Sequence, residues 1–347
     1  MKILLVGENF RGAALESIYN NLLRLGIETE IVSTNVFFKT SLANRILNKF
    51  LKIPRYFGIG IFKINKIVLD KASSGKFDFI LFMKPIFIYP KTIAKIKKYS
   101  KIIGLTMDYA GILKTNSYYF YKSMPLFDLY LPSDPNNIKL MHEYGVKKVY
   151  ALPLVADPIC HYPVKVSVED KGKLGTDIVF LGTYVKNEKR VDFMEHLCQD
   201  GYDVKIYGNS WDKLPYNSCL RKNNRIILGN TPCEEMAKII GASKIILAFM
   251  RDQIKEPIAC RTFEILLCGG FMLHQRTKEA EEFFTLNETV FFETYEEMKN
   301  KIDFYLKHSD LRAKIAKAGR ERVLNCGRLN GDQVKKMINI LKNEFNK

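Results

Sequence analysis

The chain has 347 residues, of which 54 are Lys or Arg and 37 are Asp or Glu, so its formal net charge is +17. This length predicts two domains, each large enough to bury its own hydrophobic core. No apolar run reaches the ~18–20 residues that a membrane-spanning helix needs. The apolar part of residues 1–7 is too short for a secretory signal, and we expect a first strand there.

The N-terminal half begins with a strand, a turn and a helix. Residues 2–6 are apolar, Gly7 follows them, and apolar residues recur at helical spacing over residues 13–25. Further apolar runs at residues 79–83 and 102–106 are typical of buried strands in a parallel sheet. A GxGxxG pattern is absent from the first turn, so the sequence shows no dinucleotide fingerprint there.

Asp108 directly follows the apolar run at residues 102–106. Open α/β sheets place ligand-binding groups just beyond the carboxyl ends of their strands. Asp108 is therefore a candidate for contacting an acceptor molecule or for handling a proton. A turn or helix-capping aspartate is an equally good interpretation of this position.

The net positive charge is concentrated in the N-terminal half, because acidic residues are sparse there. Residues 31–69 contain no acidic residue, and Lys and Arg alternate there with Phe, Leu and Ile; a second lysine cluster follows at residues 91–101. This pattern is typical of a surface that binds an anionic membrane or a lipid-linked molecule. The alternative is a lysine-rich composition on ordinary helix faces. We expect no nucleic-acid partner, because no helix-turn-helix, zinc or RNP pattern accompanies the charge.

The predicted boundary between the domains lies near residues 155–175. Residues 152–156 predict a strand, and a loop interrupted by proline follows it. We therefore predict an N-terminal Rossmann-like domain at residues 1–160, a second one at 170–325, and a closing helix in 326–347. Asp157 and His161 are candidates for a cleft between the domains, although a locally hydrogen-bonded loop histidine is the alternative for His161.

Strands and helices alternate in the C-terminal half, which predicts a second parallel sheet. Its first strand ends at Gly182, and a helix begins near residue 191. A strand, a glycine turn and a helix present backbone N–H groups to a phosphate, and the nearby Lys189 and Arg190 would add positive charge for a diphosphate. A solvated basic helix start is the alternative.

All seven cysteines lie between residues 160 and 326. Their number is odd, and none has the paired CxxC spacing of a metal or redox motif. We therefore expect reduced thiols packed inside a cytoplasmic protein, rather than a disulfide framework or a zinc site.

The most informative stretch spans residues 256–273. Glu256 lies in a loop, Glu264 lies on a short predicted helix at residues 262–268, and Gly269 and Gly270 end that helix before a buried strand. Both carboxylates can then face one cleft, where they would accept hydrogen bonds from the hydroxyl groups of a sugar.

The order Arg261-Thr-Phe-Glu264 followed by Cys268-Gly-Gly270 resembles the signature of GT-B glycosyltransferases, in particular the spore-maturation-protein-B-like branch of the group 1 transferases. The resemblance covers about residues 130–325. It implies that Glu264 binds the ribose hydroxyls of a nucleotide-sugar and that Glu256 lies near the transferred sugar. Pro257 follows Glu256 directly, however, and the usual glycine-rich lead-in is absent.

The resemblance implies an α/β protein of GT-B architecture, with two Rossmann-like doubly wound domains facing a central cleft and a last helix that packs back on the first domain. The implied activity is the transfer of a sugar, such as a hexose, from a nucleotide-sugar to an acceptor hydroxyl, with retention of anomeric configuration. The acceptor would be a cell-surface glycan, a lipid-linked molecule or a protein. We expect a cytoplasmic enzyme that is peripheral at the inner face of the membrane.

We expect no cofactor, since the nucleotide-sugar is a substrate, and no metal ion, because no Asp-x-Asp motif occurs in the chain. Positive side chains would steady the leaving diphosphate instead. The candidate catalytic residues are Glu256, Arg261 and Asp108. The candidate donor-binding residues are Glu264, Gly182, Lys189, Arg190, Lys255, Gly269 and Gly270.

Two other functions remain open at this point. A nucleotide-sugar epimerase of the same fold would act on the donor alone, and the basic N-terminal half, which suits an acceptor surface, argues against it. A binding protein that keeps the fold without the chemistry is the second alternative, and the departure at Glu256 and Pro257 leaves it open.

Overall fold

The computed structural model describes residues 1–35, 59–107, 110–111, 116–229, 231, 233–250 and 258–346. The chain divides into two compact units, one formed by Met1–Leu154 with Asn330–Lys347 and the other by Val155–Leu329. Three candidate residues, Asp108, Lys255 and Glu256, lie outside the described residues. Within the described ranges, no helix combines the length and the apolar character that crossing a bilayer requires.

The first unit is built on a parallel sheet. Its strands are β1 (Lys2–Gly7), β2 (Glu28–Ser33), β3 (Phe79–Met83), β4 (Lys101–Thr106) and β5 (Leu129–Pro132). Their order across the sheet is β2–β1–β3–β4–β5, and every neighbouring pair is parallel. β1, β3, β4 and β5 are apolar at most positions because helices cover both faces of the sheet, whereas the edge strand β2 carries Glu28 and Glu30.

Helices pack on the two faces of this sheet. They are α1 (Ala14–Arg24), α2 (Ile59–Ser74), α3 (Pro90–Ile96), α4 (Tyr118–Ser123) and α5 (Asn137–Glu143), together with the C-terminal helix (Asn330–Phe345). Alternate residues of β1 enter two different cores. Leu5 packs with α1 and the C-terminal helix, whereas Leu4 packs with α2 and α3. This period of two is the one expected of a strand buried on both sides.

No strand forms at residues 152–156, where the sequence predicted one. The Leu152 N–H donates to the carbonyl of Pro132 at 2.9 Å. Pro153 has no N–H and cannot extend this pairing into a ladder. The N–H of Leu154 donates to the Ser133 hydroxyl at 3.0 Å instead.

The second unit has its own parallel sheet. Its strands are β6 (Ile178–Leu181), β7 (Val204–Tyr207), β8 (Ile226–Ile227), β9 (Ile245–Ala248), β10 (Met272–Gln275) and β11 (Val290–Phe292). Their order is β11–β10–β9–β6–β7–β8, and all neighbours are parallel. The prediction of two doubly wound α/β sheets is thus confirmed.

The helices of the second unit again cover both faces. They are α6 (Val168–Leu174), α7 (Lys189–Gln199), α8 (Cys219–Lys222), α9 (Cys233–Ala242), α10 (Cys260–Leu267), α11 (Lys278–Phe283), α12 (Tyr295–Lys307) and α13 (Ser309–Leu324). Val179 of β6 packs with α9 and α10. Phe180, the next residue, packs with α7 and α12 on the other face.

Cys160 and Cys233 form a disulfide bond, with their Cα atoms 5.2 Å apart. The expectation that all seven cysteines are reduced is therefore wrong for this pair. The two residues are separated by 73 positions in the sequence, and spacing patterns detect only cysteines that are close along the chain. The fold of the second unit brings the turn that contains Cys160 against the start of α9.

Candidate functional site

The carboxyl ends of parallel strands meet at one edge of a sheet, where α/β proteins bind ligands. In the second unit, this edge carries the turn at Gly182 after β6 and the turn at Gly208 after β7. It also carries the start of α10, which lies between β9 and β10 in the chain. Of the candidate residues, Gly182 lies at the first of these places, and Arg261 and Glu264 lie on the helix that begins at the last.

Helix α10 carries a charged pair, Arg261 and Glu264. Phe263, Leu266 and other apolar residues of the helix are buried, which fixes the face that packs inward. Arg261 and Glu264 are three positions apart and so share a face. The Arg261 Nη1 atom lies 2.8 Å from Glu264 Oε2, and the two side chains are 37% and 20% exposed. Partial exposure leaves both groups accessible to a ligand.

His161 extends this pair. Its Nε2 atom lies 3.9 Å from Glu264 Oε1, beyond the range of a direct hydrogen bond. Its Nδ1 atom accepts a hydrogen bond from the Asp157 N–H at 3.3 Å, which assigns the ring proton to Nε2, the nitrogen that faces Glu264. Burial lowers the pKa of His161, and the Glu264 carboxylate opposes that shift. The imidazole is therefore neutral near pH 7.

Asp157 shapes the turn that holds His161. Its carboxylate Oδ1 accepts a hydrogen bond from the N–H of Ile159 at 2.9 Å. Its backbone carbonyl accepts hydrogen bonds from the N–H groups of Cys160 and His161 at 3.0 and 2.8 Å. The structure thus brings His161 to Glu264, whereas these hydrogen bonds of Asp157 organise the loop.

The buried His274 of β10 forms a hydrogen bond to the first turn of α10. Thr262 donates its hydroxyl to Nε2 of His274 at 3.0 Å, and His274 Nδ1 donates to the carbonyl of Gln275 at 2.5 Å. Burial lowers the pKa of His274 to about 4, so the ring is neutral and both of its nitrogens are used. This link ties the first turn of α10 to the carboxyl end of β10. The sequence did not predict this link, because Thr262 and His274 are 12 positions apart and no motif includes His274.

Gly269 and Gly270 lie at the other end of α10. Gly269 has a φ angle of +79°, and the N–H groups of Gly269 and Gly270 close the helix on the carbonyls of Leu266 and Ile265. A helix of 8 residues is about 12 Å long. The structure therefore places these glycines at the amino end of β10, away from Arg261, where they act as a helix cap.

The turn after β6 is held from inside the unit. The fully buried Trp211 donates its indole N–H to the carbonyl of Gly182 at 2.7 Å. A Cβ atom added to Gly208 would lie 2.0 Å from that same carbonyl oxygen, so the two turns touch through glycine backbone. Trp211 is the only tryptophan of the chain. Its position after a predicted strand was the available signal for this supporting role.

Arg190 is engaged inside the loop that follows this turn. Its Nη2 atom donates to the carbonyl of Thr183 at 2.9 Å and lies 2.5 Å from the Glu188 carboxylate. The side chains of Arg190 and Glu188 are only 6% and 3% exposed. The guanidinium also lies over the Phe180 ring, 5.5 Å from its centroid. Arg190 therefore fastens the loop, while the neighbouring Lys189 is exposed.

One group of possible metal ligands occurs among the described residues. It consists of Cys160, His161 and Cys233, whose ligand atoms lie within 4.8 Å of one another. Cysteine binds metal ions as a thiolate. In the disulfide form found here, neither sulfur atom is available as such a ligand.

Comparisons with known proteins show which proteins this chain is similar to. Residues 189–330 match the family described as Glycosyl transferase-like. No curated protein matches the chain significantly. The structure of HepE from Anabaena in complex with UDP-glucose aligns with a TM-score of 0.64 at 14% identity, covering 98% of this chain and 100% of that one.

Two further solved structures align over almost the whole chain. An alpha-glucosyltransferase in complex with UDP-glucose and DNA containing an abasic site has a TM-score of 0.70 at 13% identity, with 98% of each chain covered. A trehalose-6-phosphate synthase, from work on glycosyltransfer with retention, has a TM-score of 0.62 at 11% identity, with 99% of each chain covered. This protein therefore has the GT-B fold of glycosyltransferases, and its residues 189–330, which include Arg261 and Glu264, match a glycosyl transferase-like family.

Proposed function

We propose that this protein is a glycosyltransferase that moves a sugar from a nucleotide-sugar to a hydroxyl group of an acceptor. The observation that carries the proposal is the partly exposed pair of Arg261 and Glu264, at the carboxyl edge of the second sheet and inside the family match. A carboxylate accepts hydrogen bonds from both hydroxyls of a ribose. A guanidinium beside it is suited to a diphosphate.

In the proposed complex, Glu264 binds the ribose and Arg261 binds the diphosphate. Negative charge develops on the diphosphate as the bond to the sugar breaks, and a preorganised cation lowers the energy of that transition state. The neutral His161 limits the movement of the Glu264 carboxylate from its other side. Lys189, Lys255 and Glu256 are the proposed further contacts to the diphosphate and the sugar.

We propose a UDP-hexose as the donor, because the HepE and alpha-glucosyltransferase structures contain UDP-glucose. We further propose that the reaction needs no metal ion and retains the anomeric configuration, with the diphosphate accepting the proton of the attacking hydroxyl. The trehalose-6-phosphate synthase of similar fold, which comes from work on glycosyltransfer with retention, supports the proposed retention. The Arg261-Thr-Phe-Glu264 motif favours the spore-maturation-protein-B-like branch of the family.

We propose that exposed aromatic side chains of the first unit contact a lipid-linked acceptor at the cytoplasmic face of a membrane. Phe62 on α2 and Tyr118 on α4 are 70% and 69% exposed. Their rings are connected through Tyr89 and Tyr119, with successive centroids 5.7, 4.9 and 6.1 Å apart. Exposed aromatic rings near lysines are typical of membrane interfaces. Asp108, the proposed acceptor-side residue, and most of the acid-free basic segment lie outside the described residues.

Nucleotide binding tests the proposal directly. The thermal stability of the purified protein is measured with UDP, GDP, ADP, CMP and dTDP, with and without EDTA. A ligand that binds only the folded state adds about 2.7 kcal/mol to the free energy of unfolding at 100 times its Kd. We expect UDP to raise the Tm, EDTA to leave the shift unchanged, and Glu264→Gln to reduce it.

The matched control is Glu296→Gln, which changes an exposed glutamate on α12 of the same unit. It should respond to UDP like the unmodified protein. No shift with any of the five nucleotides would overturn the proposed function. Where UDP binds, NMR of the first product formed from UDP-glucose decides between retention and inversion.

A further inference from the structure

The disulfide between Cys160 and Cys233 lies beside the candidate donor residues. Cys160 directly precedes His161, whose Nε2 atom lies 3.9 Å from Glu264 Oε1. The backbone N–H groups of Cys160 and His161 both donate to the carbonyl of Asp157. One sulfur of the disulfide is therefore carried by the same tight turn that holds the histidine against Glu264.

The sulfur of Cys233 is connected to Arg261 indirectly, through helix α9. Cys233 is the first residue of α9, and Met236 lies one turn further along that helix. The Arg261 guanidinium donates from Nη1 to the sulfur atom of Met236. Arg261 in turn pairs with Glu264 at 2.8 Å. Cys160 is thus connected to Glu264 through His161, and Cys233 is connected to Arg261 through Met236.

The connecting residues are tightly packed. Cys160, His161, Cys233 and Met236 are all buried. Buried side chains are packed at near-crystalline density, so a change in the separation of two of them displaces their neighbours. Opening the disulfide replaces a covalent S–S bond of ~2.0 Å by a non-bonded contact, and the two sulfur atoms move apart.

We propose that Cys160 and Cys233 form a redox-reversible modification site whose state sets the affinity of the Arg261–Glu264 pair for a nucleoside diphosphate. This inference rests on the proposed function, since it names a regulation of the same donor site. The disulfide form holds His161 and the start of α9 in the arrangement seen here. Reduction releases both, and the pair loses its preorganised geometry.

The chemistry needs a small thiol such as glutathione as the reductant. A glutathione thiolate attacks one sulfur, which breaks the protein S–S bond and releases the other sulfur as a thiolate that takes up a proton. A second glutathione thiolate attacks the mixed disulfide and releases oxidised glutathione. The protein gains two electrons and two protons, and two glutathione molecules are oxidised. Oxidised glutathione reverses the process.

The first measurement is a count of alkylated cysteines by mass spectrometry in denaturant. Five cysteines outside the pair carry thiols. We expect five modified cysteines in the oxidised protein and, because the chain has seven, all seven after reduction. Seven modified cysteines in protein exposed to oxidised glutathione would overturn the inference, as would stoichiometric zinc that disappears in the Cys160→Ser/Cys233→Ser variant.

The second measurement is the Kd of UDP in buffers of oxidised and of reduced glutathione. We expect the Kd to rise about fivefold or more on reduction, the lower end of typical coupling between linked sites. In Cys160→Ser/Cys233→Ser, the Kd should equal that of the reduced protein in both buffers. If this variant fails to fold, the Kd values of the oxidised and reduced unmodified protein still test the inference.

The matched control is Cys198→Ser/Cys219→Ser, which removes two thiols that both accept from the Asn223 side chain elsewhere in the unit. This control should keep the full redox response. Equal UDP affinities in the two buffers would overturn the inference and leave the proposed function intact. Absence of binding by all five nucleotides in both buffers would overturn the proposed function together with the regulation, while the cysteine count would still report the cross-link.

Discussion

Two helix starts in the second unit carry an Arg and a Glu at the same edge of the sheet, yet their environments differ. At the start of α7, Arg190 and Glu188 are 6% and 3% exposed and bind each other. At the start of α10, Arg261 and Glu264 are 37% and 20% exposed. The first pair is part of the interior, and the second is accessible to a ligand.

The difference in exposure determines whether an arginine at the edge of the sheet stabilises the fold or can bind a ligand. A buried ion pair has lost its hydration, so each charge needs the other to remain inside the protein. A partly exposed pair contributes little to stability, and its members can therefore exchange their contact for contacts with a ligand. The contrast assigns Arg190 to the scaffold and Arg261 to the candidate site, although each arginine lies near the start of a helix and pairs with a glutamate.

The largest expected effect comes from breaking the buried pair. Arg190→Ala leaves the Glu188 charge buried without its partner, which should lower the free energy of unfolding by about 3–5 kcal/mol. Urea denaturation measures this change. The control Lys189→Ala alters the exposed neighbour and should change the value by less than about 0.5 kcal/mol. Equal effects of the two substitutions would contradict the distinction drawn here.

Glu264→Gln tests the accessible pair. The substitution removes the charge that accepts hydrogen bonds from the ribose, and we expect UDP binding to weaken by about 1.5–3 kcal/mol, or roughly 10- to 150-fold. The free energy of unfolding should change by less than about 1 kcal/mol. Calorimetry gives the first quantity and urea denaturation the second. A large loss of stability with unchanged UDP affinity would place Glu264 in the scaffold.

Trp211→Phe tests whether the hydrogen bond to Gly182 stabilises the turn after β6. Phenylalanine cannot donate to the carbonyl of Gly182, so we expect the free energy of unfolding to fall by about 1–2 kcal/mol. The change is measured by circular dichroism, because the substitution removes the only tryptophan. Tyr216→Phe, at a position that is exposed, is the control and should have almost no effect. A neutral result for Trp211→Phe would mean that the bond to Gly182 does not hold the turn.

The support beneath α10 predicts a pH dependence. The folded-state pKa of His274 is about 4, below the ordinary value near 6.5, so the unfolded chain binds more protons between these values. The stability from the neutral ring is complete above about pH 6.5 and is lost progressively as the pH falls towards 4. We expect His274→Gln to flatten the stability curve over this range, and the exposed His308→Gln to leave it unchanged. Identical slopes for both variants would refute this role of His274.

The alternation of apolar runs with helical segments was sufficient to predict both parallel sheets. Leu4 and Leu5 belong to an unbroken apolar strand, and such strands occur where helices cover both faces of a sheet. The short helix that carries Glu264 was also predicted, whereas the predicted start at residue 262 left Arg261 outside the helix that contains it in the structure. These properties depend on local periodicity, which the order of residues alone determines.

Tertiary structure decided the remaining features. The Cys160–Cys233 disulfide, the approach of His161 to Glu264 and the support of Thr262 by His274 join residues that are distant or unmarked in the sequence. The burial of Arg190 and the position of Gly269 at the carboxyl end of α10, away from Arg261, also depend on packing. A residue's type states which bonds it can make, but only the packed chain determines which partners lie within reach and whether water competes for them.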